Sequence, residues 1–225
     1  MILDFLQAKA LEKAGKVRVV DARIGLGYTA VQLDTGGVGL AGTIRDIQET
    51  GCTVFQGKRP IAGAPVSDIL QYVTSGSVLE RTLGIATANA LLNTPDELEK
   101  IEGYHTLQGD LLDNIALTKE DRVGMVGFFG PLVPVIRQQA GELIIFEKNA
   151  SRADGLYSEE TAEQMLPACS VVIITATAII NNTFDHLAAA ASHCRIKAML
   201  GPSTPMVPDI FTNHGITHFS GIITE

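Results

Sequence analysis

The sequence contains no tryptophan, and aromatic residues make up only 5% of its 225 positions. A core built from it has to be aliphatic, drawn from Val, Ile, Leu and Ala. Cysteine is scarce as well: Cys52, Cys169 and Cys194 are scattered, odd in number and form no CxxC pair. That pattern argues against a disulfide framework or a zinc ribbon. Basic runs are missing; the densest is Lys58-Arg59. The formal net charge is -8, and an acidic surface repels phosphate backbones, so nucleic acid is not an expected partner. The longest apolar run, Val171 to Ile180, is interrupted by Thr and too short to cross a bilayer, so no membrane association is expected. Asp4 near the start and the lack of an apolar h-region do not read as a signal peptide, which leaves the cytoplasm as the default expectation.

What is present is a globular composition, 46% hydrophobic and 19% charged. Residues 2–14 read as a helix with Ile2, Phe5, Leu6 and Ala10 on one face and Gly15 as its stop. Residues 17–24 and 28–33 alternate as strands, Thr35-Gly36-Gly37 is a turn, and residues 38–44 return as a third strand whose Gly39 and Gly42 predict a closely packed backbone. A helix follows with Val66, Ile69, Leu70 and Val73 in register. Ser77 and Glu80 form a capping-box pattern opening another helix that runs to Leu92, with Leu79, Leu83, Ala86 and Ala90 as its stripe. Asn93-Thr94-Pro95 ends it, and the polar stretch 96–103 is the expected linker. The domain boundary is placed there, giving units 1–103 and 104–225.

The second unit changes character. Strands are expected at 122–126, 143–146, 171–175, 198–200 and near 218–223. Between them lie helical patterns at 131–139, from a Ser158 cap to Leu166, from an Asn182 cap to about His193, and near Asp209. Strand and helix alternate throughout, which argues for a parallel, doubly wound α/β sheet of Rossmann-like type.

Ligands of open α/β sheets bind beyond the carboxyl ends of the strands. Those ends here are Gly127-Phe128-Phe129-Gly130-Pro131, Glu147-Lys148-Asn149, Thr175-Ala176-Thr177 running on to Asn181, and Gly201-Pro202-Ser203-Thr204. Glu147 falls 20 residues after Gly127, the spacing at which an acid meets a ribose hydroxyl in dinucleotide folds. The glycine order GxGxxG is not met, which weighs against NAD or flavin; S-adenosylmethionine needs less of that pattern. Asn89, near the end of an apolar helix, reads either as a structural hydrogen-bonding residue or as a group facing the cleft between the units. The five histidines and three cysteines show no HExxH or CxxC spacing, and no GxSxG elbow appears.

The runs VGMVGFFGPLVP (123–134), VVIITATAIINNTFD (171–185) and MLGPSTPMVPDIF (199–211) resemble the DUF364 family, whose label is heavy-metal chelation. LGIATANALLN (83–93) and YTAVQL (28–33) resemble its companion N-terminal domain, DUF4213. The resemblance implies an enolase N-terminal-like α+β domain packed on the Rossmann-like domain, with a site at their interface and a divalent heavy metal or metal chelate as ligand. On this reading a small polar or anionic ligand sits between the units. Gly127 to Pro131 offer backbone N–H groups, and Glu147 and Asn149 fix a polar group. Thr175, Thr177 and Asn181 line the floor, Gly201 to Thr204 close the far side, and Asn89 reaches in. The alternative is a transferase using S-adenosylmethionine or a nucleotide, with Glu147 on the ribose. A homodimer is the base-rate expectation.

Overall fold

The computed structural model describes residues 1–44, 55–107, 109–148 and 155–224. The first helix, α1 (Ile2–Ala14), ends where Gly15 takes a φ of 45°. Its buried face is Ile2, Leu3, Leu6, Ala10 and Ala14. Phe5, expected on that face, is 53% exposed, because Leu3 one turn from Leu6 takes the inward position.

The antiparallel meander forms as β1 (Val19–Ile24), β2 (Tyr28–Leu33) and β3 (Val38–Gly42), in that spatial order. After α2 (Val66–Leu70) and a 3-10 turn at Gln71–Thr74, α3 (Val78–Leu92) runs through the middle of this half. The expected capping box is replaced: the Ser75 hydroxyl bonds Glu80 and accepts from Ser77 N–H, while the Ser77 hydroxyl has no partner. Nor is α3 amphipathic in the way its stripe implied, since every residue from Thr82 to Leu92 is buried. The sheet packs on one side, α1 and the 71–74 turn on others. A helix wrapped on all sides must be apolar all round, and this one uses small residues so that neighbours come close. Buried Thr82 and Thr87 satisfy their hydroxyls on the carbonyls of Val78 and Leu83 one turn back.

The closest approach is at β3. A methyl group on Gly39 would lie 2.1 Å from the Ala86 carbonyl oxygen and 2.2 Å from the Ala90 nitrogen. Strand and helix backbones touch there with no side chain between them.

The chain then makes α4 (Pro95–Leu98), capped by Thr94, where a linker was expected. The second half is a six-stranded parallel sheet of β4 (Arg122–Val126), β5 (Glu142–Glu147), β6 (Leu156–Ser158), β7 (Val171–Thr175), β8 (Ile196–Leu200) and β9 (His218–Ser220). The short edge strand β6 lies where only a helix cap was read. The order is β6-β5-β4-β7-β8-β9, so growth runs one way from β4 to β6 and then restarts on the other side of β4. Side chains alternate between two layers. Val123, Met125, Ile145, Val171 and Ile173 pack on Ile136 of α5 (Leu132–Gln139). Val126, Ile144, Phe146, Val172 and Ile174 share a core with Ala162 of α6 (Ala162–Met165), Phe184 and Leu187 of α8 (Phe184–Ala190), and the buried residues of the first half. Both faces being covered explains why these strands read as continuous apolar runs. Between β7 and α8 lies α7 (Thr177–Asn181); it ends at Asn182 with φ 60°, so Asn182 closes a helix instead of opening one. No helix among the described residues is long and apolar enough to cross a membrane.

At the amino ends of the strands, Asp121 is nearly enclosed. It accepts from Arg195 (2.7 Å), Ser170 (2.7 Å) and the Thr118 backbone (2.8 Å), and Arg195 also reaches the Ala116 carbonyl. The Arg195 guanidinium, with the hydroxyl and N–H donors, holds the Asp121 carboxyl well below its usual range. This clamp ties the entry of β4 to those of β7 and β8.

Two predictions follow from these contacts. Gly39→Ala should cost about 3 kcal/mol or more, because backbone cannot yield as a side-chain tip can; denaturant unfolding measures it. Asp121→Asn should cost about 2 kcal/mol at pH 7. A carboxyl depressed on folding stabilises above its unfolded value, 3.8 here, and loses that contribution as the pH falls further. The gap between wild type and variant in unfolding midpoint should therefore narrow below about pH 4.

Candidate functional site

The strand order reverses between β4 and β7, which opens a crevice at their carboxyl ends. A cavity of about 160 Å³ lies there, lined by Gly127, Phe128, Phe129, Glu147, Lys148, Glu159, Thr175, Thr177 and Asn181. Gly127 leaves β4 with φ 91°, a value side-chain-bearing residues avoid, and a methyl there would meet Thr175 Cβ at 2.9 Å. The turn so formed aims the Phe128 N–H at Glu147, whose Oε2 accepts it at 3.0 Å. Glu147 is thus fixed at the tip of β5, beside the tip of β4. Across the crevice the Thr175 and Thr177 hydroxyls lie 2.9 Å apart. Glu159 enters from the 3-10 turn after β6, its Oε1 accepting from Thr183 at 2.9 Å.

Seven residues expected at the site are brought together here: Gly127, Phe128, Phe129, Glu147, Thr175, Thr177 and Asn181. Gly130 and Pro131 sit one turn further on, at the start of α5, outside the lining. Asn149 lies outside the described residues. Lys148 and Glu159 join the wall unforeseen; Lys148 follows Glu147 directly, and Glu159 had been read only as part of a helix start. Among the described residues, the lining comes from the second half alone.

The Gly201–Thr204 segment and Asn89 have a different position. Strand β3 is an edge strand, and its outward polar groups are capped by side chains. Gly42 N–H donates to Ser203 Oγ at 2.8 Å, the Leu40 carbonyl accepts from Asn89 Nδ2 at 2.9 Å, and the Val38 carbonyl accepts from Thr224 Oγ1 at 2.8 Å. Asn89, Ser203 and Thr204 have no exposed surface. Thr204 Oγ1 donates within its own loop, to the Gly201 and Ser220 carbonyls. Asn89 therefore points at β3 and not into a cleft, and its Oδ1 is buried without a partner. Gly201 and Pro202 begin the loop that carries Ser203 to Gly42 and line neither this cavity nor the larger one near β9. A residue passed over as a helix terminator, Asn93, completes the junction: its Nδ2 donates to the Thr204 carbonyl and its Oδ1 accepts from Met206 N–H, both at 2.8 Å.

The donor set decides what the cavity can hold. Two carboxylates, two hydroxyls and an amide face one lysine, so hydroxyl and amine donors are welcome and a bare anion is not. Soft heavy metals select thiolate and imidazole. Among the described residues, no Cys or His lines the cavity, and no group of three or more His, Cys, Asp or Glu could hold a metal ion. Cys169 and Cys194 are buried in the core, where burial pushes the Cys194 thiol up to about 11. These residues do not suit direct capture of a soft ion.

The fold and this crevice define an α/β protein with a six-stranded parallel sheet and a polar pocket at its reversal. Its sequence matches the profile of the DUF364 family, described as "Putative heavy-metal chelation", over residues 110–225, and the chain belongs to that family. The DUF4213 profile, with the same description, matches residues 7–92. The chain is similar to an uncharacterized protein of Methanocaldococcus jannaschii, 24% identical over 230 residues, covering 98% of this chain and 85% of that one. A crystal structure of a DUF364 protein of unknown function from Pyrococcus horikoshii superposes with a TM-score of 0.83 at 25% identity, over 98% of this chain and 87% of that one. One from Desulfitobacterium hafniense gives 0.80 at 23% identity, over 99% and 86%, and shares the fold.

Ser203→Ala and Asn89→Ala each strand a buried backbone group of β3, and should lower stability by about 1–3 kcal/mol in thermal or denaturant unfolding.

Proposed function

We propose that this protein binds a small polar ligand presenting hydroxyl or amine groups at the sheet-reversal cavity, and that any heavy metal it handles arrives wrapped in an organic chelator. The observation that carries this is the convergence of Glu147, Glu159, Thr175 and Thr177 on one cavity at the point where strand order reverses. That position is where doubly wound sheets bind ligands. The oxygen-rich lining supports recognition of a ligand shell over naked soft metal.

A second reading has its own support. Counted within the sheet, the strand order is 3-2-1-4-5-6, that of the Rossmann fold, and Glu147 ends the second strand, where an acid takes a ribose hydroxyl. The cavity then holds the ribose of S-adenosylmethionine or a nucleotide, and the protein is a transferase. Both readings take residues 104–225 as a Rossmann-like domain and 1–103 as an enolase N-terminal-like domain packed against it through β3, α3 and α1.

A thermal-shift panel tests them with free nickel, nickel bound by the neutral chelator ethylenediamine, S-adenosylmethionine, NAD and adenosine. A ligand at a hundred times its Kd adds about 2.7 kcal/mol, a rise of roughly 5–10 °C for a chain this size. The first reading expects the nickel–ethylenediamine complex to act where free nickel does not, with Glu147→Ala and Thr177→Val reducing the shift. The second expects S-adenosylmethionine or adenosine to act, and Glu147→Ala to abolish it. Wild-type shifts in both variants would overturn the placement.

A further inference from the structure

A second cavity, of about 290 Å³, lies at the opposite edge of the sheet from β6. Its walls come from three separate stretches: the segment 98–114 that joins the two halves, residues 206 and 208 after β8, and residues 217–223 around β9. Among the described residues, none that lines it is Asp, Glu, Lys or Arg, although such residues make up 19% of the chain. The smaller cavity, by contrast, has three charged groups in its wall. The rings of Tyr104 and Phe219 meet edge to face in the wall at 6.1 Å. At the mouth, Tyr104, Leu107 and Ile223 stand 43%, 53% and 39% exposed. Polar and apolar surface share the walls almost equally, the polar part coming from uncharged groups such as Thr106, Thr217 and Ser220. The His218 ring is held by Thr217, Nδ1 to Oγ1 at 2.9 Å, and burial lowers its pKa, which favours the neutral ring.

We propose that this cavity is a second ligand site, one that takes an uncharged planar ring compound of about two fused rings in size. The size is at the lower end of small-molecule pockets. Aromatic edges offer offset or edge-to-face packing to a flat ring. A charged ligand would leave water for walls with no counter-charge, which is costly. Ser220 supplies a hydrogen-bonding group at its side, enough to orient a heteroaromatic edge. The site is independent of the ligand at the sheet reversal. Met206, in its wall, is tied by its N–H to Asn93 of the first half, so an occupied cavity braces the junction between the halves.

The absence of Trp makes the test direct, because indole fluorescence excited at long wavelength then comes from the probe alone. Indole, the cation tryptamine and the anion indole-3-acetate are titrated with the full chain at pH 8, above the range in which ordinary imidazoles charge. The expected result is saturable indole binding, with both charged analogues at least about tenfold weaker, as an uncompensated charge implies. Ser220→Phe fills the cavity and should abolish indole binding. Tyr104→Glu changes an exposed position, which keeps the test alive if the first variant folds poorly. It should weaken indole about tenfold and bring tryptamine up. Absence of saturable indole binding, equal affinity for all three probes, or unchanged binding in both variants would overturn the proposal. So would a dimer in sedimentation that closes the wild-type cavity to indole and dissociates in Tyr104→Glu, since the occupant would then be a second copy.

Discussion

The edge of β3 is the constraint on which the two halves depend. An edge strand carries unpaired N–H and C=O groups, and burying them unpaired costs free energy for each. Among the described residues no further strand covers the edge. Side chains do: Asn89 from α3, Ser203 from the loop after β8, and Thr224 from the end of the described chain. Two of these three come from the second half, so the edge is satisfied only when the halves are docked. Just before this strand and on it, Gly37 and Gly39 let α3 press backbone against backbone. Asn93, at the end of that helix, then grips residues 204 and 206. Ion pairs such as Lys9 with Asp209 add to the seam, but both partners are partly exposed and contribute little.

This arrangement separates holding from binding. The polar residues of the loop after β8 are consumed by the junction, whereas those after β4, β5 and β7 remain turned toward a cavity. Four strand ends of similar polar character thus have two different roles. The Asp121 clamp sits at the other end of the sheet, where it secures strand entries without touching the crevice. The two cavities differ in kind. One is small and rich in carboxylate and hydroxyl oxygen; the other is larger, without formal charge and edged by aromatic rings.

Much of the architecture was legible because it follows from periodicity. The meander, the alternation of strand and helix, and the continuous apolar runs of β4 and β7 all reflect burial on one face or two. That Glu147 stands at the tip of β5 was legible in the same way, from the apolar run that it ends. What was misread shares a cause. Phe5, Ser77 and Asn182 each offered a local pattern, a face or a cap, that a neighbour one to three residues away also satisfied. Leu3 and Thr183 took those positions, while Ser77 stays at the start of α3 and Ser75 makes the bond to Glu80. Glu159 and Lys148 carried no pattern of their own, since a charged residue near a strand end is ordinary until the fold closes around it.

By itself, the sequence determined the succession of elements and which strand ends were polar, because side-chain periodicity and turn chemistry are local properties. Only the tertiary structure decided which of those polar groups are free. Whether Ser203 meets a ligand or the Gly42 N–H, and whether Asn89 faces a cleft or the Leu40 carbonyl, depends on which backbone edge lies opposite. That is set by packing between segments more than a hundred residues apart in one case and about fifty in the other, and no local pattern encodes it.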